Sequence, residues 1–214
     1  MNRRTFIKQS TASAAALMLT STTGTLMASN KSPSLTIPRW RGFNLTELAN
    51  PRSMRPFVEN DLRWMSEFGF DFARIPMSYW CWSDPKDWMK IDESVLRLVD
   101  QVVDYGRNYG VHVNLNFHRI PGYCVNGRDQ EPYDLFQGPA ADQEKALDAA
   151  SYHWRTFAKR YKGISSKELS FDLMNEPPWM DDDSRYVEII KRLVSDIREL
   201  YLKLLQERKP GNVI

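Results

Sequence analysis

The sequence predicts an α/β chain, a (β/α)8 TIM barrel of which about the first four βα units are present. Three observations predict it. Short, mostly apolar segments alternate four times with long amphipathic ones, the pattern of parallel strands joined by helical crossovers. No glycine-rich phosphate loop follows any short segment, which argues against a doubly wound nucleotide-binding sheet. Each short segment instead ends in polar side chains: Asn44 and Glu47, then Arg74, then His118, then Asn175 and Glu176. Barrel enzymes assemble their sites from such strand ends.

The expected strands are 39–45, 70–76, 111–118 and 169–175. The first helix is expected over 54–68, with Phe57, Leu62, Met65 and Phe68 along one side. The second begins at Asp92, a good N-cap with Ile91 before it as a hydrophobic staple. It buries Val95, Leu98, Val99, Val102 and Val103 and ends near Gly110. The third, 141–162, spaces Ala146, Ala150, Trp154, Phe157 and Tyr161 at steps of three and four. The fourth, 183–206, repeats the pattern from Tyr186 through Leu204, and Pro210-Gly211 closes it. Val213-Ile214 then reads as the start of a fifth strand. A complete barrel takes roughly 250 residues, so 39–214 is expected to be the amino-terminal half of a barrel domain, truncated at strand five. Such a half is expected to be inactive alone and to expose an open parallel edge.

Residues 1–28 read as a twin-arginine export signal. Asn2-Arg3-Arg4-Thr5-Phe6-Ile7-Lys8 precedes a small-residue apolar run from Ala12 to Met27. That run is interrupted by Ser13, Thr20, Ser21 and Thr22 and falls short of the ~20 strongly apolar residues of a stable membrane span. Residues 29–38 follow as a linker, and the expected location is periplasmic or extracellular. Arg3, Arg4 and Lys8 are three of the 29 basic residues, leaving 26 against 27 acidic, a net of −1 for the remainder. With no basic stripe left, nucleic acid is excluded as a partner. Cys81 and Cys124 each follow an expected strand, and in an oxidising compartment a bridge between them can persist. Spacing alone does not decide whether they pair.

Glycoside hydrolysis needs one carboxylic acid to protonate the leaving oxygen and a second carboxylate across the anomeric carbon. Phe171-Asp172-Leu173-Met174-Asn175-Glu176-Pro177-Pro178 runs as strand, polar pair and proline pair, which holds Glu176 at the rim. Standing alone, Asn-Glu-Pro is more readily an exposed turn. Arg74 at the second strand end and His118 at the third change that balance. The arginine can keep a neighbouring carboxylate ionised or orient it; the alternative for an isolated strand-end arginine is a structural ion pair. His112 and His153 read as structural, and Trp64, Trp88 and Trp154 as helix or packing residues.

In order, spacing and strand position, Arg41-Gly42-Phe43-Asn44, Arg74-Ile75-Pro76, His118-Arg119 and Asn175-Glu176-Pro177 resemble the family 5 glycoside hydrolases, a cellulase-type family of retaining barrel enzymes. The resemblance covers about 39–214. It implies Glu176 as general acid/base, Asn175 on the substrate 2-hydroxyl, Arg74 supporting the nucleophile and His118 lining the subsite at the scissile bond. The family's nucleophile, a strand-seven glutamate, has no counterpart before Ile214. Trp179 and Tyr123 are expected to stack on sugar rings, and Glu47 to bind a sugar hydroxyl. The substrate implied is a β-linked polysaccharide or oligosaccharide, β-1,4-glucan first, with no metal or organic cofactor and a monomer when complete. Two other readings remain open: a non-catalytic carbohydrate-binding barrel, and a metal-dependent barrel hydrolase, the latter weakened because no His-x-His follows the first strand.

Overall fold

The computed structural model describes residues 39–206 of the 214. The expected signal, linker and fifth strand lie outside the described residues. Four strands, β1 (Gly42–Asn44), β2 (Phe72–Ser78), β3 (His112–Arg119) and β4 (Leu169–Asp172), form one sheet in the order β1-β2-β3-β4, every neighbouring pair parallel. Helices α1 (Glu59–Glu67), α2 (Glu93–Tyr109), α3 (Ala140–Arg160) and α4 (Ser184–Gln206) each follow one strand. These are four consecutive βα units in barrel order.

The boundaries differ from expectation where local chemistry intervenes. Helix α1 starts at Glu59, not 54. Pro56 disfavours helical backbone at Arg55, and the chain makes a short 3-10 turn at Pro51–Ser53 instead. Phe68 caps α1 and is 79% exposed, although periodicity put it on the buried side. Asp92 does cap α2, its carboxylate accepting from the Ser94 amide at 2.8 Å. Gly110 ends that helix in the left-handed region, φ 67°, where a residue without Cβ is favoured. Strand β4 stops at Asp172, three residues short of expectation.

Strand β2 runs through Pro76 to Ser78, although proline cannot donate to a ladder. Alternation explains the tolerance. The Arg74 carbonyl accepts from Leu45 on the β1 side, and the Ser78 amide donates to Leu48 on that same side. Pro76 lies between them in parity, so its missing N–H also faces β1, whose pairing has already ended at Asn44. The β3 side keeps its hydrogen bonds.

The same alternation divides the sheet into two faces. Ala73, Ile75, Met77, Val113, Leu115 and Phe117 are fully buried. This face meets the helices: the Phe117 and Trp154 rings stack at 3.8 Å, and Trp154 also lies against Phe171. The opposite face is polar. Register aligns Asn44, Arg74, Asn114 and Ser170 in one layer, and Pro76, Asn116 and Asp172 in the next.

Around the first of these layers the polar groups satisfy one another. The His112 Nδ1–H faces the Lys167 carbonyl at 3.0 Å, which leaves Nε2 as acceptor for the Ser170 hydroxyl at 2.7 Å. Asn114 donates to the same Ser170 oxygen at 2.9 Å. Burial holds the His112 pKa below the usual imidazole value, in keeping with a neutral ring. Both cysteines are buried and free. Among the described residues no helix is long and apolar enough to cross a membrane.

Candidate active site

Arg74 reaches from β2 across β3 to the end of β4. Its Nε donates to Asp172 Oδ2 at 3.2 Å and its Nη2 to Asn175 Oδ1 at 2.8 Å. A guanidinium only donates, so the Asn175 atom facing it must be the carbonyl oxygen. The Asn175 Nδ2 is buried, with no partner among the described residues. It is a fixed donor at the rim of the polar face.

Past β4 the chain stays anchored although it is no longer strand. Trp154 Nε1 donates to the Leu173 carbonyl at 3.1 Å, and the Asn175 amide donates to the Phe117 carbonyl at 3.2 Å. Trp154 therefore packs, as expected, and also braces the rim. Glu176 follows with φ 44°, the one described non-glycine residue at positive φ. A glutamate in that region stores ~1–3 kcal/mol of strain, which the surroundings must hold in place. The side chain is exposed.

Tyr123 supplies part of that hold. Its hydroxyl donates to the Glu176 carbonyl at 2.6 Å, and its ring meets Phe136 edge to face at 5.0 Å. The residue is only 2% exposed. The expectation that Tyr123 stacks on a sugar is therefore corrected: burial leaves no open ring face. Tyr79 and Trp82, two other aromatics after β2, are likewise buried.

His118 sits at an irregularity. Met77 pairs with Phe117 and Ser78 with Arg119, so β3 carries one extra residue at His118. Bulges of this kind commonly re-aim a side chain beside a site. The Nδ1 of His118 is buried without a partner among the described residues. Burial, then the Arg74 charge, draws its pKa below the usual imidazole value. Next to it, the Arg119 guanidinium lies 3.8 Å over the Trp80 ring and donates to the Asn126 carbonyl at 3.0 Å.

Glu47 is 5% exposed, and its Oε1 accepts from Arg55 Nη2 at 3.0 Å. Its Oε2 is buried without a partner among the described residues. Trp179 stands apart, 93% exposed beyond the proline pair.

Sequence reasoning missed two acids. Asp172 was legible: it shares the inward parity of Ser170, two residues earlier. Glu131 was not, because it lies in the long loop between β3 and α3. Its Oε2 accepts from the Tyr79 hydroxyl at 2.5 Å and from the Gly122 amide at 3.1 Å. Burial raises its pKa. Trp88 Nε1 donates to the Tyr79 oxygen at 2.9 Å, so the acid ties the β3 loop to the turn after β2.

The arrangement presents a rim carboxylate, a fixed amide donor, a guanidinium and a neutral imidazole on one end of a polar sheet face. Such a set suits recognition of hydroxyls and proton transfer. Among the described residues no group of three or more His, Cys, Asp or Glu side chains could hold a metal ion.

The chain is similar to several known proteins. The family described as Cellulase (glycosyl hydrolase family 5) matches residues 28–203. Endoglucanase C of Acetivibrio thermocellus is 29% identical over 144 residues, covering 67% of this chain and 39% of that protein. Glucan 1,3-beta-glucosidase D of Emericella nidulans is 32% identical over 127 residues, covering 56% of this chain and 15% of that protein. A crystal structure of a glycoside hydrolase superposes with a TM-score of 0.69 at 35% identity, covering 76% of this chain and 51% of that one. The structure of a hyperthermophilic endo-beta-1,4-glucanase, at 21% identity and TM-score 0.58, shares the fold. The chain thus spans about half the length of these structures and less of the curated relatives.

Proposed function

The chain belongs to the cellulase family, glycosyl hydrolase family 5, and on that premise we propose that Glu176 is the general acid/base of a retaining β-glycosidase. The observation that carries the reading is the rim itself: an exposed carboxylate at positive φ, beside an Asn175 amide whose Nδ2 is an unused buried donor. Glu176 would protonate the departing oxygen and later deprotonate water, while a second carboxylate from outside the described residues attacks the anomeric carbon.

In this reading Asn175 donates to the 2-hydroxyl of the reacting sugar, where a hydrogen bond strengthens at the transition state. Arg74 supports the nucleophile electrostatically, and neutral His118 lines the same subsite. Trp179 offers an open ring face to a sugar beyond Glu176, and Glu47 accepts from a sugar hydroxyl through its unpartnered oxygen. Tyr123 acts from beneath, through the Glu176 backbone. A β-linked glucan is the substrate, β-1,4-linked first; the matching endoglucanases support that choice. Export through the twin-arginine route, supported by Asn2-Arg3-Arg4-Thr5-Phe6-Ile7-Lys8, and a monomeric complete enzyme belong to the same proposal.

The test is Glu176→Gln in the full-length protein. Hydrolysis of β-glucan should fall by roughly 10²–10⁴-fold, the usual contribution of general acid–base catalysis, while aryl glycosides with good leaving groups lose less in the first step. Equal, small losses on both substrates would sink the assignment.

A further inference from the structure

The Arg74 guanidinium divides one edge between two partners, and only one of them touches the proposed reaction. Its Nε–H goes to Asp172 Oδ2 at 3.2 Å and its Nη2–H to Asn175 Oδ1 at 2.8 Å. The fork is planar and rigid, so the direction of one hydrogen bond fixes the direction of the other. Asp172 is the last residue of β4, and its carbonyl accepts from Asn116 Nδ2 at 3.4 Å. It is therefore a well-placed anchor, set by sheet register on the polar face.

We propose that Asp172 is a positioning residue: by anchoring Arg74 it holds the Asn175 amide with oxygen toward the guanidinium and Nδ2 toward the substrate 2-hydroxyl. The inference rests on the functional reading above. An asparagine amide is nearly symmetric in shape, and a half-turn about its last bond exchanges donor for acceptor. A correctly aimed cation opposes that exchange, because a flipped amide would set N–H against N–H. Arginine has a long, rotatable stem, and without the Asp172 carboxylate its Nε keeps at most a weaker, neutral acceptor. The guanidinium can then swing and Asn175 can turn. The ion pair is part-exposed, with side chains 24% and 36% accessible, so it contributes little to folding as such. Its role is one of direction.

The test compares Asp172→Asn and Asp172→Glu with wild type in the full-length protein, on 4-nitrophenyl β-cellobioside and on its analogue lacking the 2-hydroxyl of the reacting sugar. For Asp172→Asn, kcat on the cellobioside should fall on the order of 10- to 100-fold, the loss of one charge-assisted hydrogen bond, with KM nearly unchanged. The 2-deoxy analogue loses only the support that Arg74 gives the nucleophile and should slow clearly less, so discrimination between the substrates shrinks. Asp172→Glu should restore part of it. The Asn175 side-chain amide signals in ¹H–¹⁵N spectra, assigned by their loss in Asn175→Asp, should shift and exchange faster in Asp172→Asn. Equal slowing of both substrates, or an unmoved Asn175 amide, would overturn the proposal. If wild type hydrolyses neither substrate, the functional reading fails, and the amide signals alone still decide whether Asp172 sets Asn175. Should Asp172→Asn not fold, Asp172→Ala, which removes every side-chain acceptor at that position and leaves the guanidinium in place, makes the same comparison.

Discussion

The Tyr123 hydroxyl donates a 2.6 Å hydrogen bond to the backbone carbonyl of Glu176, 53 residues further along the chain. The loop after the third strand therefore reaches under the turn after the fourth and holds it where the backbone has positive φ. A residue that looks from the sequence like a sugar platform instead sets the direction of the proposed acid.

Tyr123→Phe isolates this contact. The ring stays packed on Phe136 and only the hydrogen bond is lost, at about 1 kcal/mol of stability. Turnover on β-glucan should fall by about 10-fold in the full-length protein with KM little changed, because the carboxyl group loses aim rather than chemistry. Turnover equal to wild type would show that the turn holds itself.

Trp179→Ala tests the opposite situation. The side chain is 93% exposed, so its removal should leave stability within about 0.5 kcal/mol. The KM for long glucans should rise several-fold, with that for short aryl glycosides unchanged. An equal effect on both would place the ring outside the substrate path.

Gly42→Ala should be severe. A Cβ at Gly42 would lie 1.5 Å from the Phe72 carbonyl oxygen, a backbone atom that cannot move aside cheaply. Strand β1 would have to separate from β2, at a loss of about 2 kcal/mol or more. Urea unfolding of variant and wild type measures it.

His153 makes stability acid-sensitive. Trp82 Nε1 donates to its Nδ1 at 3.0 Å, and its Nε2–H faces the Trp88 carbonyl at 2.6 Å. Burial keeps the ring neutral, with its pKa pushed down from 6.5 to about 4. The unfolded chain takes up this proton first, so the contribution is complete above about pH 6.5 and is lost as pH falls toward 4. The loss amounts to roughly 3 kcal/mol. His153→Phe should be less stable at pH 7, because the Trp82 indole loses its acceptor, and its deficit should shrink between pH 7 and pH 4. A constant deficit across that range would refute the assignment.

Much of the fold was legible because its signals are local. The Asp92 cap, the Gly110 stop and the spacing of Trp154 and Phe157 depend on residues within a few positions of each other. So did the polar strand ends, because a period of two assigns Arg74 and Asp172 to one face once the strands are identified. Phe68 was misread for a reason of the same kind: the helix ended one residue before it. Periodicity says nothing once the helix stops.

The sequence by itself determined the alternation of four βα units and the identity of the groups delivered to their ends. Only the tertiary structure decided what those groups do to one another. Arg74 meets Asp172 and Asn175 across 98 and 101 residues of chain, and Tyr123 reaches Glu176 across 53. Such pairings follow from strand register, from the extra residue at His118 and from how a long loop folds back. None of these has a local period to read. The direction of an amide, or the burial of a tyrosine, is fixed by partners that only the assembled sheet brings within hydrogen-bond distance.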